Sequence, residues 1–516
     1  MPKFIKKLLF RNEAREKLLE GVNILADAVS TTLGPRGRNV AINNIHTTPT
    51  VLHDGVSVAR AINLEDPFVD MGADLLKEAA VRTNEVAGDG TTTSTILAQS
   101  IVNEAQKRIS TGINPMVVKD ELQEDLAKVL KQLQILSNKV KKDDEIEQVA
   151  TISSGDSKLG KLVSSALQKV GQDGVVTTEE GQGIETTVEY KQGMEIDRGY
   201  LSPYFVTDQD RVEAVIEDVY ILITDMRFTH QLQLEGFLKK FLSKAKNLLI
   251  FASEVSEEAL ALLVVNKLRG TFQVCAVTAP AYGGRRTDEL EDIATLTGGT
   301  AIMVESGRAL ETIEIEELGR ADKIVSDRDK TIIIGGKGKR GSIDKRIKEL
   351  KEQVKISTAD FDRDIKRQRA ANLKGQIAII NVGGVTDGEV KEKKERVIDA
   401  VNATRAAIEE GVVSGGEITL YTLSRYATGI LKNALKSPLR KLLENAGIDY
   451  AEALQDLQGH LYPYGIDVTD GKVKNLIKEG IIDPVKVTRS ALENAVSVAT
   501  LIITTDVSIT DIEEKK

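Results

Sequence analysis

The sequence predicts a multidomain α/β and α protein in which an α/β part is inserted between two helical parts. Its 516 residues suffice for roughly three domains of ordinary size. Apolar residues recur at helical spacing near both ends of the chain, whereas short strand and helix patterns alternate in the middle. Because the two ends resemble each other and differ from the middle, an insertion explains this arrangement most simply.

The helical ends are predicted from their apolar periodicity. A helix is expected over residues 12–33 and ends at the loop that begins with Gly34 and Pro35. Its apolar face consists of Leu18, Val22, Leu25 and Val29. Two short β-branched segments then predict a hairpin over residues 39–52. Longer helical patterns follow at residues 65–109, 115–137 and about 390–510.

The middle of the chain alternates between the two kinds of element. Strands are predicted at residues 186–190, 220–223, 248–251, 274–277 and 377–382. Helices are predicted at about residues 229–245, 255–269 and 340–371. Such alternation is typical of an α/β domain.

Composition argues against several classes of protein. The chain has 69 Lys and Arg against 78 Asp and Glu, and its net charge of -9 disfavours nucleic acid as a partner, since phosphate binding needs a basic face. The single cysteine, Cys275, lies in an apolar run and is predicted to be buried and unreactive. The 4 histidines match no zinc-site spacing. No stretch approaches the roughly 20 apolar residues of a membrane span, so we expect an intracellular protein without a membrane partner.

The segment Ala87 to Ser94 carries the clearest chemical signal. Glycines and threonines stand directly before a helical run, and a helix N-terminus presents unpaired N–H groups to an anion such as phosphate. Asp89 would repel phosphate unless Mg²⁺ lay between them, and it is therefore interpreted as a metal ligand. The same residues also fit an ordinary N-cap on a Gly-rich loop, and the local sequence does not decide between the two. A Walker A pattern is absent from the sequence.

Two further loops carry glycine or carboxylate groups. These are Thr32 to Gly37 and the Asp54-Gly55 pair. Taken alone, each predicts an ordinary turn.

Several segments nevertheless share one pattern with a known family. They are, in chain order, Thr32 to Pro35, Asp54 to Arg60, Ala87 to Thr93, Asp197 to Phe205, Asp292 to Thr300, Ala403 to Ala407 and Asp483 to Leu492. In this order and spacing they resemble the GroEL-type (group I) chaperonins along nearly the whole chain. Separate segments in one order leave little room for coincidence.

The resemblance implies three domains and a function. The domains are a mostly helical equatorial ATPase domain (1–134 and 410–516), a small α/β intermediate hinge domain (135–191 and 377–409) and an inserted α/β apical domain (192–376). The implied function is ATP-dependent capture of non-native polypeptides on apolar apical surfaces. Captured chains would then fold in a ring cavity closed by a GroES-type lid.

The resemblance also assigns roles to residues of an ATP site. Asp89 would hold Mg²⁺, and K⁺ is a candidate second ion. Asp399 and Asp54 would be the catalytic carboxylates that orient the attacking water. The implied nucleotide contacts are Thr32, Leu33, Gly34, Pro35, His53, Gly90, Thr91, Thr92, Thr93, Gly416, Asp467, Val468 and Asp483.

A second set of residues matches the protein-binding face of the family. It consists of Tyr200, Tyr204, Phe205, Leu234, Leu238, Leu260, Val264 and Val265. The helical spacing of Leu234 with Leu238, and of Leu260 with Val264, would by itself indicate buried core. The resemblance implies the opposite, an exposed apolar face for unfolded chains and for the lid.

The implied partners are non-native proteins, a GroES-type co-chaperonin and further copies of the chain in two stacked seven-membered rings. A bacterial cytoplasm is the expected location, with an organelle lumen as the alternative, since the start of the chain has no evident transit peptide.

The chain departs from the family pattern at three places. His53 stands where Lys is usual, Glu417 stands where a third glycine is usual, and the final residues lack a Gly-Gly-Met tail. These departures bear on ATP turnover and on the contacts of the cavity floor, not on the fold. A rival from another class is a paralogous ring scaffold or holdase with weak ATP turnover, and the presence of Asp54, Asp89 and Asp399 argues against it. A small-molecule kinase is a weaker rival, since no pocket signature for an acceptor substrate is evident.

Overall fold

The computed structural model describes residues 4–43, 50–140, 143–171, 174–181, 183–209, 211–357 and 360–513. The chain forms two compact units. The first contains the described residues of Met1–Ser165, Gln182–Ile184 and Gly384–Lys516, and the second those of Ala166–Gly181 and Glu185–Gly383. The second unit is therefore inserted between two halves of the first. This confirms the predicted fold class of an α/β part inserted into a helical one.

The regular elements alternate along the chain as follows. The helices are α1 (Arg11–Ser30), α2 (Gly55–Ala61), α3 (Pro67–Ala87), α4 (Thr91–Ile109), α5 (Pro115–Leu136), α6 (Asp143–Ser154), α7 (Ser157–Val170), α8 (Leu232–Leu242), α9 (Glu257–Leu268), α10 (Gly284–Thr297), α11 (Arg340–Ile356), α12 (Asp360–Lys374), α13 (Asp387–Glu410), α14 (Ile418–Leu423), α15 (Gly429–Ala434), α16 (Ser437–Ala446), α17 (Tyr450–Asp456) and α18 (Val485–Thr504). The strands are β1 (Phe4–Phe10), β2 (Val40–Ile42), β3 (Thr50–Leu52), β4 (Val175–Glu180), β5 (Thr187–Ile196), β6 (Ala214–Ile223), β7 (Arg227–Phe228), β8 (Asn247–Ala252), β9 (Glu254–Val255), β10 (Gln273–Thr278), β11 (Gly319–Ser326), β12 (Thr331–Gly336), β13 (Gln376–Val382), β14 (Val412–Ser414), β15 (Tyr464–Asp467), β16 (Lys472–Asn475), β17 (Ile482–Pro484) and β18 (Val507–Glu513).

The first unit is built around one apolar core shared by helices from both ends of the chain. Helices α1, α3, α4, α5 and α18 all contribute buried side chains to it. The predicted apolar face of α1 is confirmed, because Leu18, Val22, Leu25 and Val29 are fully buried. Helix α18 contributes buried residues around most of its circumference, as expected of a helix enclosed by others.

Two of the predicted helical patterns are interrupted in the structure. The pattern over residues 65–109 is two helices, α3 and α4, which are separated by a turn at residues 88–90. The block at 390–510 is likewise interrupted, by the antiparallel pair β14–β17 and the hairpin β15–β16. In the predicted hairpin of residues 39–52, β2 pairs with β3, while residues 44–49 lie outside the described part of the chain.

The second unit is organised by a mixed eight-stranded sheet with the order β10-β8-β6-β11-β12-β5-β13-β4. Strands β10, β8 and β6 are parallel to one another, as strands linked through helices are expected to be. Cys275 lies in β10 and is fully buried, and burial raises the pKa of its thiol to about 12. This confirms that Cys275 is buried, and its thiol stays protonated at neutral pH.

Two further predictions concern membrane-spanning helices and the division of the chain into domains. None of the described helices combines the length and apolar character needed to cross a bilayer. The division into three domains stays a prediction. Elements of the predicted intermediate segments occur in both units, with α6 and α13 in the first and β4, β5 and β13 in the second.

The crossing of α1 and α3 generates a test of the first unit's packing. A Cβ added at Gly72 would lie 2.1 Å from the carbonyl oxygen of Leu18. We expect Gly72→Ala to lower the free energy of unfolding by about 1–3 kcal/mol through overpacking, although alanine favours the helix by about 1 kcal/mol. Urea unfolding checks this. The matched control is Gly341→Ala in α11, where a Cβ meets nothing within 4 Å. Equal stability of Gly72→Ala and the wild type would contradict the close crossing.

Candidate nucleotide site

A turn with two left-handed glycines joins α3 to α4. Gly88 (φ 68°) ends α3 and Gly90 (φ 81°) precedes α4. A Cβ would lie 2.2 Å from Asn402 Cβ at Gly88 and 2.7 Å from Val487 Cγ1 at Gly90, so no larger residue fits either position without movement. The first N–H groups of α4 have no side-chain cap among the described residues. Asp89 instead accepts a hydrogen bond from the N–H of Gly90 at 2.6 Å. This geometry favours the anion cradle over the ordinary N-cap.

Three segments that are distant in the sequence meet at the start of α4. Thr92 Oγ1 lies 3.1 Å from Thr32 Oγ1, at the beginning of the loop that follows α1. A Cβ added at Gly55 would lie only 2.3 Å from Thr92 Oγ1. The structure therefore brings the predicted loop residues Thr32 and Thr92 together with the Asp54-Gly55 turn. Asp54 itself caps α2, where its Oδ2 accepts from the N–H of Ser57 at 2.8 Å.

Five carboxylates interact electrostatically around this turn. They are Asp54, Asp89, Asp399 in α13, Glu417 before α14 and Asp483 in β17. Burial raises the pKa of Asp399 well above its usual value, and Asp89 and Asp54 raise it further. Burial also raises the pKa of Asp89, with a smaller effect from Asp54, although the hydrogen bond from Gly90 lowers it. Burial and Asp89 raise the pKa of Asp483 to about 7. The negative groups predicted from separate parts of the sequence thus lie near one another.

The carboxylates fit a cation that arrives together with phosphate. Within the described ranges, no group of three or more His, Cys, Asp or Glu side chains forms a metal site by itself. Mg²⁺ commonly takes one or two protein carboxylates and completes its shell with phosphate oxygens and water. The carboxylate of Asp89 adjoins the uncapped start of α4, so its donor chemistry suits the predicted metal role.

The loop after α1 contacts the segments that follow α13. Leu33 packs against an apolar cluster that includes Leu442, Ile466 and Val468. Asn445 Nδ2 donates to the carbonyl oxygens of Ser30 and Leu33 at 3.0 and 3.1 Å. These contacts place the predicted residue Leu33 in one cluster with Val468. Gly34 and Pro35 are exposed in the same loop.

Asp467 and Gly416 lie beside this cluster. Asp467 Oδ1 accepts from the Thr469 hydroxyl at 2.6 Å, and Asp467 Oδ2 pairs with Lys474 Nζ at 2.7 Å. Both of its carboxylate oxygens therefore already have partners. Gly416 (φ 62°) lies at the start of α14, and a Cβ there would be 3.9 Å from the carbonyl oxygen of Ile466.

His53 has a recorded contact with α13. Its Nε2 lies 3.8 Å from Glu392 Oε1, and both side chains are substantially exposed. The resemblance implies that His53 is a phosphate neighbour, whereas the structure also links it to the helix that carries Asp399.

The predicted protein-binding residues divide into three groups according to their exposure. Tyr204 and Val265 are exposed, and Tyr200, Leu260 and Val264 are partly buried against the core of the second unit. Phe205, Leu234 and Leu238 are buried, so the expectation that they form an exposed face is wrong for these three in this structure. Leu234 and Leu238 are buried because α8 turns its apolar side onto the sheet, where Phe241 packs against Tyr220 of β6 at 5.8 Å between ring centroids. Phe205 ends a separate short turn, Pro203–Phe205, and belongs to the same core.

Three residues of the site had no assigned role in the sequence analysis. Gly55 allows the close approach to Thr92, and Asn402 of α13 covers Gly88. Glu417 Oε1 accepts a hydrogen bond from the Thr93 hydroxyl at 2.6 Å. A glycine directly after Asp54 was a visible signal for the first. For Glu417 the signal was a glutamate at the position after Gly415 and Gly416 where a third glycine is usual. No feature of the sequence pointed to Asn402.

Comparisons with known proteins agree with this fold. The sequence model of the TCP-1/cpn60 chaperonin family matches residues 25–513. Among solved structures, the chain is similar to the chaperonin gp146 from the bacteriophage EL 2 (Pseudomonas aeruginosa), crystallised in the presence of ATP-BeFx. Crystal form II has a TM-score of 0.68 and 22% sequence identity over 97% of this chain and 98% of that chain. Crystal form I has a TM-score of 0.61 and 21% identity over 98% and 99%.

At 21–22% sequence identity, the similarity to the solved structures shows the fold alone. The family match, in contrast, extends over nearly the whole chain. The match includes the turn before α4, the three aspartates Asp54, Asp89 and Asp399, and the inserted α/β unit. The chain therefore belongs to the TCP-1/cpn60 chaperonin family.

Proposed function

We propose that this chain is an ATP-driven folding chaperone that hydrolyses ATP with Mg²⁺ and captures non-native proteins on apolar surfaces. The observation that carries the proposal is the convergence of Asp54, Asp89 and Asp399 on the uncapped N-terminus of α4. Membership in a chaperonin family supports it. The similar phage chaperonin was crystallised with ATP-BeFx, which is consistent with a nucleotide site in this fold.

The phosphates would bind at the start of α4. Its free N–H groups, the hydroxyls of Thr91, Thr92 and Thr93, and the backbone at Gly90 form the donor set. The rest of the nucleotide would lie along the residues that the sequence analysis assigned to it: Thr32, Leu33, Gly34, Pro35, Gly416, Asp467, Val468 and Asp483. Mg²⁺, held by Asp89, would neutralise phosphate charge.

Asp399 and Asp54 are the groups proposed to orient the attacking water. Phosphoryl transfer depends mainly on positioning and on charge neutralisation, so two carboxylates near the phosphate site can serve this purpose. Burial, together with Asp89 and Asp54, raises the pKa of Asp399 above its usual value, so its carboxylate is more basic than that of an ordinary aspartate. Because Asp399 lies on α13, a movement of that helix would couple hydrolysis to a conformational step.

Non-native proteins are proposed to bind through apolar groups of the second unit that reach solvent. Tyr204 and Val265 are exposed, with 63% and 42% of their surface accessible. Tyr200, Leu260 and Val264 adjoin the core and remain partly accessible. Unfolded chains share exposed apolar surface rather than a sequence, so an apolar face suits them. We propose that a GroES-type co-chaperonin docks on the same face.

Assembly with further copies of the chain is supported by the ribbon of β1 and β18. Two cross-strand pairs, Phe10 with Val507 and Leu8 with Ile509, lie on one exposed face of this ribbon. Four exposed apolar side chains next to open strand edges favour association with another chain. We propose assembly into two stacked seven-membered rings, in a bacterial cytoplasm.

The catalytic assignment is tested with Asp399→Ala. We expect the variant to bind ATP while its turnover falls about 100-fold or more, because removal of a positioned acid–base group commonly has this effect. Steady-state phosphate release and refolding of a denatured client, with and without a GroES-type lid, provide the readouts. The matched control is Asp387→Ala, an exposed aspartate at the start of the same helix.

The outcomes of this experiment separate the two candidate functions. Phosphate release and native client from the wild type, with little turnover by Asp399→Ala, would support the folding machine. Capture of client without hydrolysis by either protein would instead support the scaffold or holdase. Equal turnover by Asp399→Ala and the wild type would show that Asp399 is not catalytic.

His53→Lys tests the contribution of a positive charge beside the Asp54-Gly55 turn. We expect ATP turnover to rise severalfold, because lysine is charged at neutral pH and would offset more phosphate charge. Rates at saturating and limiting ATP check this. The control is His230→Lys in the second unit, which also has a glutamate partner, Glu258 at 3.4 Å. An unchanged or lower rate for His53→Lys would count against the charge argument.

The raised pKa values predict how pH affects the stability of the nucleotide-free protein. Folding raises the pKa of Glu417 to about 8 and that of Asp483 to about 7. A raised pKa stabilises the fold below the ordinary value and loses that contribution as pH rises through the folded value. We therefore expect the melting temperature to fall from pH 6 to pH 9. Glu417→Gln and Asp483→Asn should each reduce this slope in calorimetric scans. A slope unchanged in both variants would contradict the assignment.

A further inference from the structure

Glu417 has an unusual backbone conformation for a residue with a side chain. It immediately precedes α14 with φ 59° and ψ 5°, in the left-handed region. That region is uncommon for residues other than glycine, and such residues persist where the surrounding structure holds them. A left-handed backbone is most easily adopted by glycine, and this chain places a carboxylate there instead.

The side chain of Glu417 reaches the start of α4. Its Oε1 accepts a hydrogen bond from Thr93 Oγ1 at 2.6 Å, although the two residues are 324 positions apart. Thr93 is the third residue of α4, and its hydroxyl is one of the donors proposed for phosphate. A hydroxyl has a single hydrogen to donate, so it cannot serve Glu417 and a phosphate oxygen at the same time.

The surroundings of Glu417 are unfavourable for an ionised carboxyl group. Burial, with smaller effects from Asp483 and Asp89, raises its pKa to about 8, although the hydrogen bond from Thr93 lowers it. The Thr93 hydroxyl is therefore a stabilising partner for a group surrounded by like charges.

We propose that Glu417 holds the hydroxyl of Thr93 in the nucleotide-free protein, and that nucleotide must displace it, so that Glu417 sets the affinity of the site. This inference rests on the proposed nucleotide function and adds an affinity-determining residue to it. A chain with glycine at this position would present the Thr93 hydroxyl without competition. Glu417 thus gives this chain a weaker nucleotide site than its loop before α4 would otherwise provide.

Replacement of Glu417 on the full chain tests the proposal. We expect Glu417→Gly to bind ADP with Mg²⁺ about tenfold more tightly by titration calorimetry, because a hydrogen bond to a charged or buried carboxyl group no longer competes. Glu417→Asn provides a second variant, since asparagine tolerates the left-handed region and is one methylene group shorter. It should bind nearly as tightly as the glycine variant.

Two further variants separate the hydrogen bond from other effects. Glu417→Gln keeps an acceptor for Thr93 and should bind ADP within about twofold of the wild type, a difference of less than half a kcal/mol. Ala281→Gly in the second unit also replaces a residue at positive φ (54°), and it controls for general effects of relieving backbone strain. Its affinity for ADP should equal that of the wild type.

The results of this series distinguish failure of the inference about Glu417 from failure of the proposed nucleotide function. If the wild type binds ADP and the glycine and asparagine variants bind no more tightly, Glu417 does not compete for Thr93. If Glu417→Gln binds ADP as tightly as Glu417→Gly, the charge of Glu417 rather than its hydrogen bond sets the affinity. That result would also overturn the proposal. If no protein in the series binds ADP, the nucleotide function itself fails. ADP binding by Glu417→Gly and Glu417→Asn, but not by the wild type, would support both the nucleotide function and the role of Glu417.

Discussion

The turn at Gly88–Gly90 is the constraint on which the chemistry of the first unit depends. Its two glycines lie against Asn402 of α13 and Val487 of α18, so tightly that a Cβ at either position would collide. Both helices come from the far end of the chain, more than 300 residues later. The uncapped start of α4 therefore acquires its shape only when the two ends of the chain have packed together within the first unit.

That same packing forces like charges into proximity. Asp54, Asp89, Asp399, Glu417 and Asp483 come from five separate segments, and burial together with their mutual repulsion raises the pKa of several of them. Such an arrangement is unfavourable in the absence of a cation, since each buried charge loses its hydration. It becomes favourable when a divalent cation and a phosphate share the site. Binding of the proposed cation and phosphate would therefore relieve the electrostatic repulsion among these carboxylates.

In the second unit, packing decides which apolar residues remain accessible. The apolar side of α8 lies on the sheet, and Leu234 and Leu238 are buried there with Phe237 and Phe241. Helix α9 buries Ala259 and Leu263, while Val265 on another side of the same helix remains exposed. The candidate capture surface is consequently smaller than the full set implied by the resemblance, and it is centred on Tyr204 and Val265.

The sequence by itself determined the insertion of an α/β part into a helical one, the buried face of α1 and the candidate phosphate loop before α4. Each of these is encoded locally, since helical periodicity and a Gly-rich segment are read over a few neighbouring residues. Order along the chain also pointed to Asp54, Asp89 and Asp399, through the resemblance to a family. Their proximity, however, could not be derived from their spacing.

Only the tertiary structure decided three other features. These are the contact of Glu417 with Thr93, the contact of His53 with Glu392, and the choice between the buried core that helical spacing indicated and the exposed face that the resemblance implied for Leu234 and Leu238. Periodicity identifies the apolar side of a helix but not the element that covers it. Likewise, a carboxylate in a loop reveals its charge but not its partner, because residues hundreds of positions apart come into contact only through the packing of the whole unit.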